Sequence, residues 1–293
     1  MSLRGGENLL NVVGELDAWA ADTTVAPASA PARCAVATAL ADLGAKRAGV
    51  PLWQSLAPTV KPRTLRCNAT ITAGSVGDVV SQCESWAADG FDVFKLKAGP
   101  ESAIELAAAV RSALGPDVYI RLDANGSWGE RAAAVLNGLE PIGIELVEEP
   151  LTGLNDLSIL SRKTSIPLVA DESVNDPADA ADAAFEEACV AATVKLTKIG
   201  GLGVDLGGFL PTYLSSALDG PVGIAAAAHA AQTLDPELPW PGMAHGLATE
   251  RLFREQLGSS GPLASGNRLD PPADGPGLGV ILDEDVLARC RLD

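Results

Sequence analysis

Short apolar runs recur through the middle of the chain, and each ends on charge. Phe94-Lys95-Leu96-Lys97, Ile120-Arg121-Leu122-Asp123, Leu146-Val147-Glu148-Glu149, Leu168-Val169-Ala170-Asp171-Glu172 and Thr193-Val194-Lys195 are such ends. From Lys97 through Asp123, Glu148 and Asp171 to Lys195 the steps are 26, 25, 23 and 24 residues. A step of that length holds one strand, one amphipathic stretch and two loops, the content of a βα unit. The runs alternate little, as expected of parallel strands covered on both faces. Strands are expected at 65–72, 92–97, 118–123, 143–147, 167–170, 191–196 and 212–216. Helices are expected at 76–88, from Pro100 to the stop at Gly115, 129–138, 154–164, 176–188, about 204–210 and 221–234. Seven strands, each followed by a helical stretch, favour a closed parallel barrel over an open sheet. Ahead of them, 4–30 reads as a helix and a loose stretch, 32–49 as an Ala-rich helix ended by Gly49, and 51–62 as a Pro-rich connector. Beyond Trp240 the pattern weakens until a last short helix at 283–289.

The length, 293 residues, suits one large α/β domain with an accessory piece. A net charge of −17 argues against nucleic acid and anionic membranes as partners, since both require basic patches. Five cysteines without a CxxC pair read as buried thiols of a reducing cytosol, so a cytoplasmic location is expected. Neither a secretory leader nor an apolar run of about 18 residues is evident.

In a parallel barrel the C-terminal strand ends share one rim, where such enzymes keep their chemistry. Asp123, Glu148 and Asp171 end successive strands and form a hard oxygen set suited to Mg²⁺ or Mn²⁺. Glu149 and Glu172, their neighbours, point elsewhere and are expected to support or cap. Lys95 and Lys97 lie two apart and face the same side. Two adjacent ammonium groups disfavour each other's charge, which is expected to lower a lysine toward the range of a base. Across the barrel, Lys195 is the better candidate for an opposing cation, with Lys198 expected on the following loop. Together these point to proton abstraction α to the carboxylate of a small molecule, with a metal-stabilised enediolate; a Lys or His base with Mg²⁺ is the known enolase-superfamily pattern. His229 and His245 read as structural histidines and Gly200-Gly201 as a tight turn. Trp128 either lines the pocket or covers the barrel end.

Lys95-Leu-Lys97, Asp123-Ala-Asn125, Val147-Glu-Glu-Pro150, Ala170-Asp-Glu-Ser173 and Val194-Lys195 through Gly201 resemble the enolase superfamily, muconate-lactonizing subgroup. The resemblance runs from about Ala32 to about Gly246. It implies a TIM-type (β/α)7β barrel, Lys97 as general base with Lys95 as its electrostatic neighbour, and Mg²⁺ on Asp123, Glu148 and Asp171. Lys195 would stabilise the enediolate or act as the second acid/base. Ser215-Ser216-Ala-Leu-Asp219 and Val222-Gly223-Ile-Ala225 are similar to o-succinylbenzoate synthases, where this segment holds the succinyl part of the substrate. Ser215, Ser216 and Gly223, with Asn125, are therefore the expected substrate-binding residues. That family dehydrates a cyclohexadiene carboxylate on the menaquinone pathway. N-succinylamino acid racemases, dipeptide epimerases and muconate cycloisomerases share the scaffold, and a barrel without its lid could be non-catalytic. The family also carries an N-terminal β-meander that closes over substrate. Only helix and loop precede Ala32 here, so the capping domain is expected to be reduced or truncated. The implied division is 1–61 for the helical cap remnant and connector, 62–250 for the catalytic barrel, and 251–293 for a segment returning toward the cap.

Overall fold

A computed structural model describes residues 9–203, 208–255, 257–260, 264–270 and 275–290. Seven parallel strands pair in chain order: β1 (Ala69–Ile71), β2 (Val93–Lys97), β3 (Tyr119–Asp123), β4 (Leu146–Glu148), β5 (Leu168–Ala170), β6 (Ala191–Val194) and β7 (Thr212–Leu214). Each is shorter than its apolar run. The run 65–72 also splits in two. Leu65–Arg66 pairs antiparallel with Arg268–Leu269, and only Ala69–Ile71 joins the barrel sheet.

An eighth segment closes the ring, and the sequence pattern gives no sign of it. Cys67 bridges in parallel to His245, and Ser215 to Gly246. His245 N donates to Arg66 O at 2.8 Å and Asn68 N to His245 O at 2.9 Å. On the other edge Gly246 N donates to Leu214 O at 2.8 Å and Ser216 N to Gly246 O at 2.9 Å. Closure removes the unpaired edges that an open sheet would leave. The ladder bonds that close the ring are main-chain, which is why no run of β-formers marks them.

The helices are α1 (Leu9–Ala21), α2 (Ala30–Ala48), α3 (Leu52–Leu56), α4 (Val76–Ala88), α5 (Ala103–Leu114), α6 (Ala132–Leu139), α7 (Leu154–Ser161), α8 (Pro177–Phe185), α9 (Leu196–Ile199), α10 (Pro221–Ala231) and α11 (Glu284–Cys290). Their starts follow local chemistry. Ser75 and Asp78 form a reciprocal capping box on α4, and the Asp176 carboxylate accepts from Ala178 N and Asp179 N at the start of α8. A four-residue helix, α9, follows Lys195 directly, and of the helix expected at 204–210 the described residues 208–210 form turn and bend. Residues 204–207, and 4–8 of the first expected helix, lie outside the described residues. Among the described residues no helix is long and apolar enough to cross a membrane.

Strand alternation divides the side chains. Phe94, Leu96, Ile120, Leu122, Val147, Leu168, Val194 and Leu214 belong to the main apolar layer that also takes in the barrel helices. Leu146, Val169, Ala191, Tyr213 and Met243 form a separate apolar group inside the ring. The N-terminal helices pack on the rim, with α2 crossing α9. A Cβ at Gly201 (φ +112°) would sit 2.8 Å from Cys34 Cα, so only glycine permits that approach.

α10 ties the wall to both chain ends through His229, which is fully buried. Trp53 N donates to its Nδ1 at 2.9 Å, so the proton sits on Nε2, 3.2 Å from Leu278 O. Burial holds His229 down to about 4, from an unfolded value of 6.5. Because the folded value is depressed, the unfolded chain takes up the proton first. The stabilisation is complete above pH 6.5 and lost as pH falls toward 4, by about 3 kcal/mol for this group. Urea unfolding from pH 7 to 4.5 is expected to show falling stability, with a smaller slope in His229→Asn, which keeps an acceptor for Trp53 N.

Candidate active site

Strand register arranges the charged residues in rows. Lys95, Arg121 and Leu146 pair across β2, β3 and β4, and two residues further on Lys97, Asp123, Glu148 and Val169 pair across β2 to β5. Positions two apart share a face, so both rows point into the barrel. Asp171 and Lys195 follow the ends of β5 and β6.

The lower row is a structural plug. Arg121 is fully buried, and its guanidinium grips Glu145 through Nε (2.6 Å) and Nη2 (3.0 Å) while Nη1 donates to Ala244 O at 2.8 Å. The guanidinium also lies 5.6 Å from the centre of the Tyr213 ring. Through Ala244 it reaches the closing strand.

The upper row is the candidate site. Lys95 Nζ sits 2.6 Å from Glu148 Oε1 and 3.1 Å from Asp123 Oδ2. Lys97 Nζ donates to Asp123 Oδ2 at 3.0 Å and to Asn125 Oδ1 at 2.9 Å. Thr193 and Tyr213 hydroxyls each donate to Glu148 Oε2 at 3.0 Å. Lys195 Nζ pairs with Asp171 Oδ2, and Lys198 Nζ with Asp171 Oδ1 at 3.0 Å. The three carboxylates are buried, whereas the Lys97 side chain remains 46% exposed and accessible from the mouth.

Electrostatics correct one expectation. Burial alone would push Lys95 down, but Asp123 and Glu148 more than offset it and hold Lys95 well above an ordinary lysine. It stays charged rather than being tuned to a base. Burial also opposes charge on Lys195, yet Asp171 leaves it raised. Asp171 is held below the usual carboxylate range by Lys195 and Lys198 against the effect of burial. Glu148 is pushed up by burial and by its neighbours Asp123 and Asp171, against Lys95.

Among the remaining expected residues, Asn125 joins the site: besides accepting from Lys97, it donates from Nδ2 to Glu172 Oε1 at 3.1 Å. Its φ of +46° is one that asparagine tolerates better than most residues. Ser215 lines a cavity of about 410 Å³ between α2, α10 and the C-terminal segment, together with Cys34, Thr38, Asp219, Gly223 and Leu278. Ser216 Oγ accepts from Asp219 N at 2.7 Å, and a Cβ at Gly223 would meet Asp219 Cβ at 2.6 Å, so both also shape the turn into α10. Trp128 is buried with Nε1 on Ala98 O at 2.9 Å and covers the barrel end. Glu149 spans to the next strand, accepting from Asp171 N at 2.7 Å and from Ser173 Oγ; burial pushes it up to about 7.

Sequence reasoning placed Lys198 on a loop; α9 instead turns it onto the carboxylate that Lys195 uses. It also missed Arg121, Thr193 and Tyr213. Strand alternation from Asp123, Lys195 and Ser215 would have put all three inside the barrel.

Comparison with known proteins fits this geometry. A family model described as Enolase C-terminal domain-like matches residues 78–204. Muconate cycloisomerase 1-2 of Acinetobacter lwoffii is 31% identical over 279 residues, spanning 89% of this chain and 70% of that relative. The chain belongs to the enolase superfamily, in its muconate-lactonizing subgroup. This enolase-superfamily chain is also similar to the o-succinylbenzoate synthase of Thermobifida fusca, 33% identical over 203 residues, 66% of this chain and 62% of that one. The L-Ala-D/L-Glu epimerase of Bacillus subtilis, solved with substrate, superposes with a TM-score of 0.78 at 27% identity, covering 85% of this chain and 72% of that one.

Members of the superfamily generally use Mg²⁺. The donor chemistry here fits such an ion: three buried carboxylates stand on adjacent strand ends, and burial together with Asp123 and Asp171 pushes Glu148 up. Among the described residues no three acidic, His or Cys side chains converge as a metal cluster. Each candidate carboxylate is turned onto lysine instead.

The Arg121–Glu145 pair gives a test of the plug. Glu145→Gln is expected to destabilise the chain by about 3–5 kcal/mol, because it strands a buried guanidinium. Replacing both residues with apolar side chains should recover much of that loss in urea unfolding.

Proposed function

We propose that this chain is an o-succinylbenzoate synthase-type lyase. It removes a proton α to a carboxylate and expels water from a cyclohexadiene carboxylate, on the menaquinone pathway. The observation that carries the reading is the placement of Lys97 on β2 and Lys195 after β6, four positions apart in a ring of eight, across a row of buried carboxylates. A planar substrate between them presents one face to each ammonium group.

Lys97 is the general base. Its Nζ is the accessible one, held by Asp123 and Asn125 in a fixed direction. After Lys97 accepts the α-proton it is the acid that protonates the departing hydroxyl, so the net loss is one water and the lysine returns to its starting state. Lys95, kept cationic by Asp123 and Glu148, holds positive charge beside the carboxylate row. Lys195 is likewise kept cationic by Asp171, which suits it to stabilising enediolate charge rather than to taking a proton. Asp123, Glu148 and Asp171 would hold Mg²⁺, with Mn²⁺ an alternative that also takes octahedral oxygen ligands; when bound, the ion supplies positive charge for the substrate carboxylate. The cavity of about 410 Å³ beside Ser215 and Gly223 takes the succinyl arm.

The domain division is proposed to follow the same arrangement. Residues 1–61 act as the cap side, 62–250 as the catalytic barrel, and 251–293 as a segment returning to the cap. In its support, Leu52 N donates to Gly277 O at 2.8 Å and Leu278 N to Asp42 Oδ1 at 2.8 Å.

A racemase, epimerase or cycloisomerase is the second reading. The cycloisomerase and epimerase named above favour it, and the same two lysines serve it. The complete lysine and carboxylate set argues against a non-catalytic barrel.

Absorbance-monitored dehydration of the cyclohexadienyl precursor, with Mg²⁺ and with EDTA, tests the proposal. Metal-dependent turnover is expected, falling by about 10²–10⁴-fold or more in Lys97→Ala with the fold intact. Full turnover in that variant would sink the mechanism. Absent dehydration, solvent deuterium exchange into an N-succinylamino acid or dipeptide would establish the second reading.

A further inference from the structure

The two oxygens of Glu148 are held differently. Oε1 accepts one donor, Lys95 Nζ at 2.6 Å. Oε2 accepts two, Thr193 Oγ1 and Tyr213 Oη, each at 3.0 Å. A carboxylate oxygen has two acceptor positions, so Oε2 is filled and Oε1 keeps one. The hydroxyls come from β6 and β7, separate strands on the far wall, and so fix the plane of the carboxylate as well as its occupancy. Packing does not explain the Tyr213 hydroxyl. Its ring fills the barrel among Leu146, Val169, Ala191 and Met243, where phenylalanine would serve as well.

We propose that Thr193 and Tyr213 are positioning residues that leave Glu148 only Oε1 to offer a metal ion, and so select Mg²⁺ over Ca²⁺. The inference rests on the reading that Asp123, Glu148 and Asp171 bind a divalent cation. Ca²⁺ takes 6–8 oxygens at about 2.3–2.6 Å and readily uses both oxygens of one carboxylate. Mg²⁺ demands a near-ideal octahedron at about 2.0–2.1 Å and is bound by few carboxylates beside retained water. Ca²⁺ also accepts single oxygens, so a carboxylate with one oxygen engaged elsewhere removes its bidentate option and suits the second ion better than the first. Supporting groups of this kind typically change metal affinity by about 10–100-fold when removed.

The test is calorimetric titration of the full chain, stripped of metal with EDTA, with Mg²⁺ and separately with Ca²⁺. Tyr213→Phe and Thr193→Val each remove the hydroxyl's hydrogen bond with little change of volume, and thermal melts in EDTA check their folding. In both variants the Kd for Mg²⁺ is expected to rise about tenfold, while that for Ca²⁺ holds or falls, so the preference shrinks or reverses. A parallel weakening of both ions would show general disorder of the site and overturn the selective role. Unchanged affinities in both variants would overturn the clamp and leave the metal reading standing. Wild-type protein that binds neither ion would overturn both.

Discussion

Charge inside a closed barrel must be balanced where it stands, because little water reaches it. Glu148 and Asp171 are fully buried and Asp123 nearly so. An isolated ion at that depth carries several kcal/mol of desolvation penalty. Parallel register makes the balance possible: Lys97 is paired with Asp123, which is paired with Glu148, and Lys95 one pleat below reaches both carboxylates. The same balance sets the acid–base character of the site. It keeps Lys95 and Lys195 cationic and leaves the accessible lysine, Lys97, at the mouth.

Balance of this kind requires a complete ring. Without the segment at 244–246, β1 and β7 would each present an open edge and water would enter from the side. The closing strand is short and irregular, and it is held by more than its ladder. Arg121 donates to Ala244 O from inside the barrel, and His245 Nδ1 accepts from Leu214 N at 3.0 Å. The Arg121–Glu145 pair thus serves closure while lying directly beneath the candidate row.

The strands that the sequence marks most plainly are those ending on charge. At Asp123, Glu148, Asp171 and Lys195 an apolar run stops because the next inward position reaches the mouth, and the spacing follows. His245 and Gly246 lacked such a mark because their contribution is main-chain. The split of 65–72 was hidden for a related reason: Leu65 and Arg66 are ordinary strand residues whose partners, Leu269 and Arg268, lie about 200 positions away. Side-chain chemistry was legible where residue type was unusual for its place, as with the two lysines of β2. Thr193 and Tyr213 are common strand formers, and only the fold shows that their hydroxyls meet one carboxylate.

Each carboxylate of the row has more than one polar partner, and this bears on how the lysines could work. Asp123 has Lys95 and Lys97, Asp171 has Lys195 and Lys198, and Glu148 has Lys95 with two hydroxyls. Removing one partner of a buried ion pair costs about 3–5 kcal/mol when nothing replaces it. Here Lys97 can leave Asp123 with Lys95 still in place, and Lys195 can leave Asp171 with Lys198 still in place. The two lysines assigned to substrate are the two whose carboxylates keep a second cation. Lys95, which alone pairs with Glu148, is buried at the centre of the network. Under the proposed assignment, the lysines that face substrate are thus those whose carboxylates keep a second cation, and strand order decides which they are.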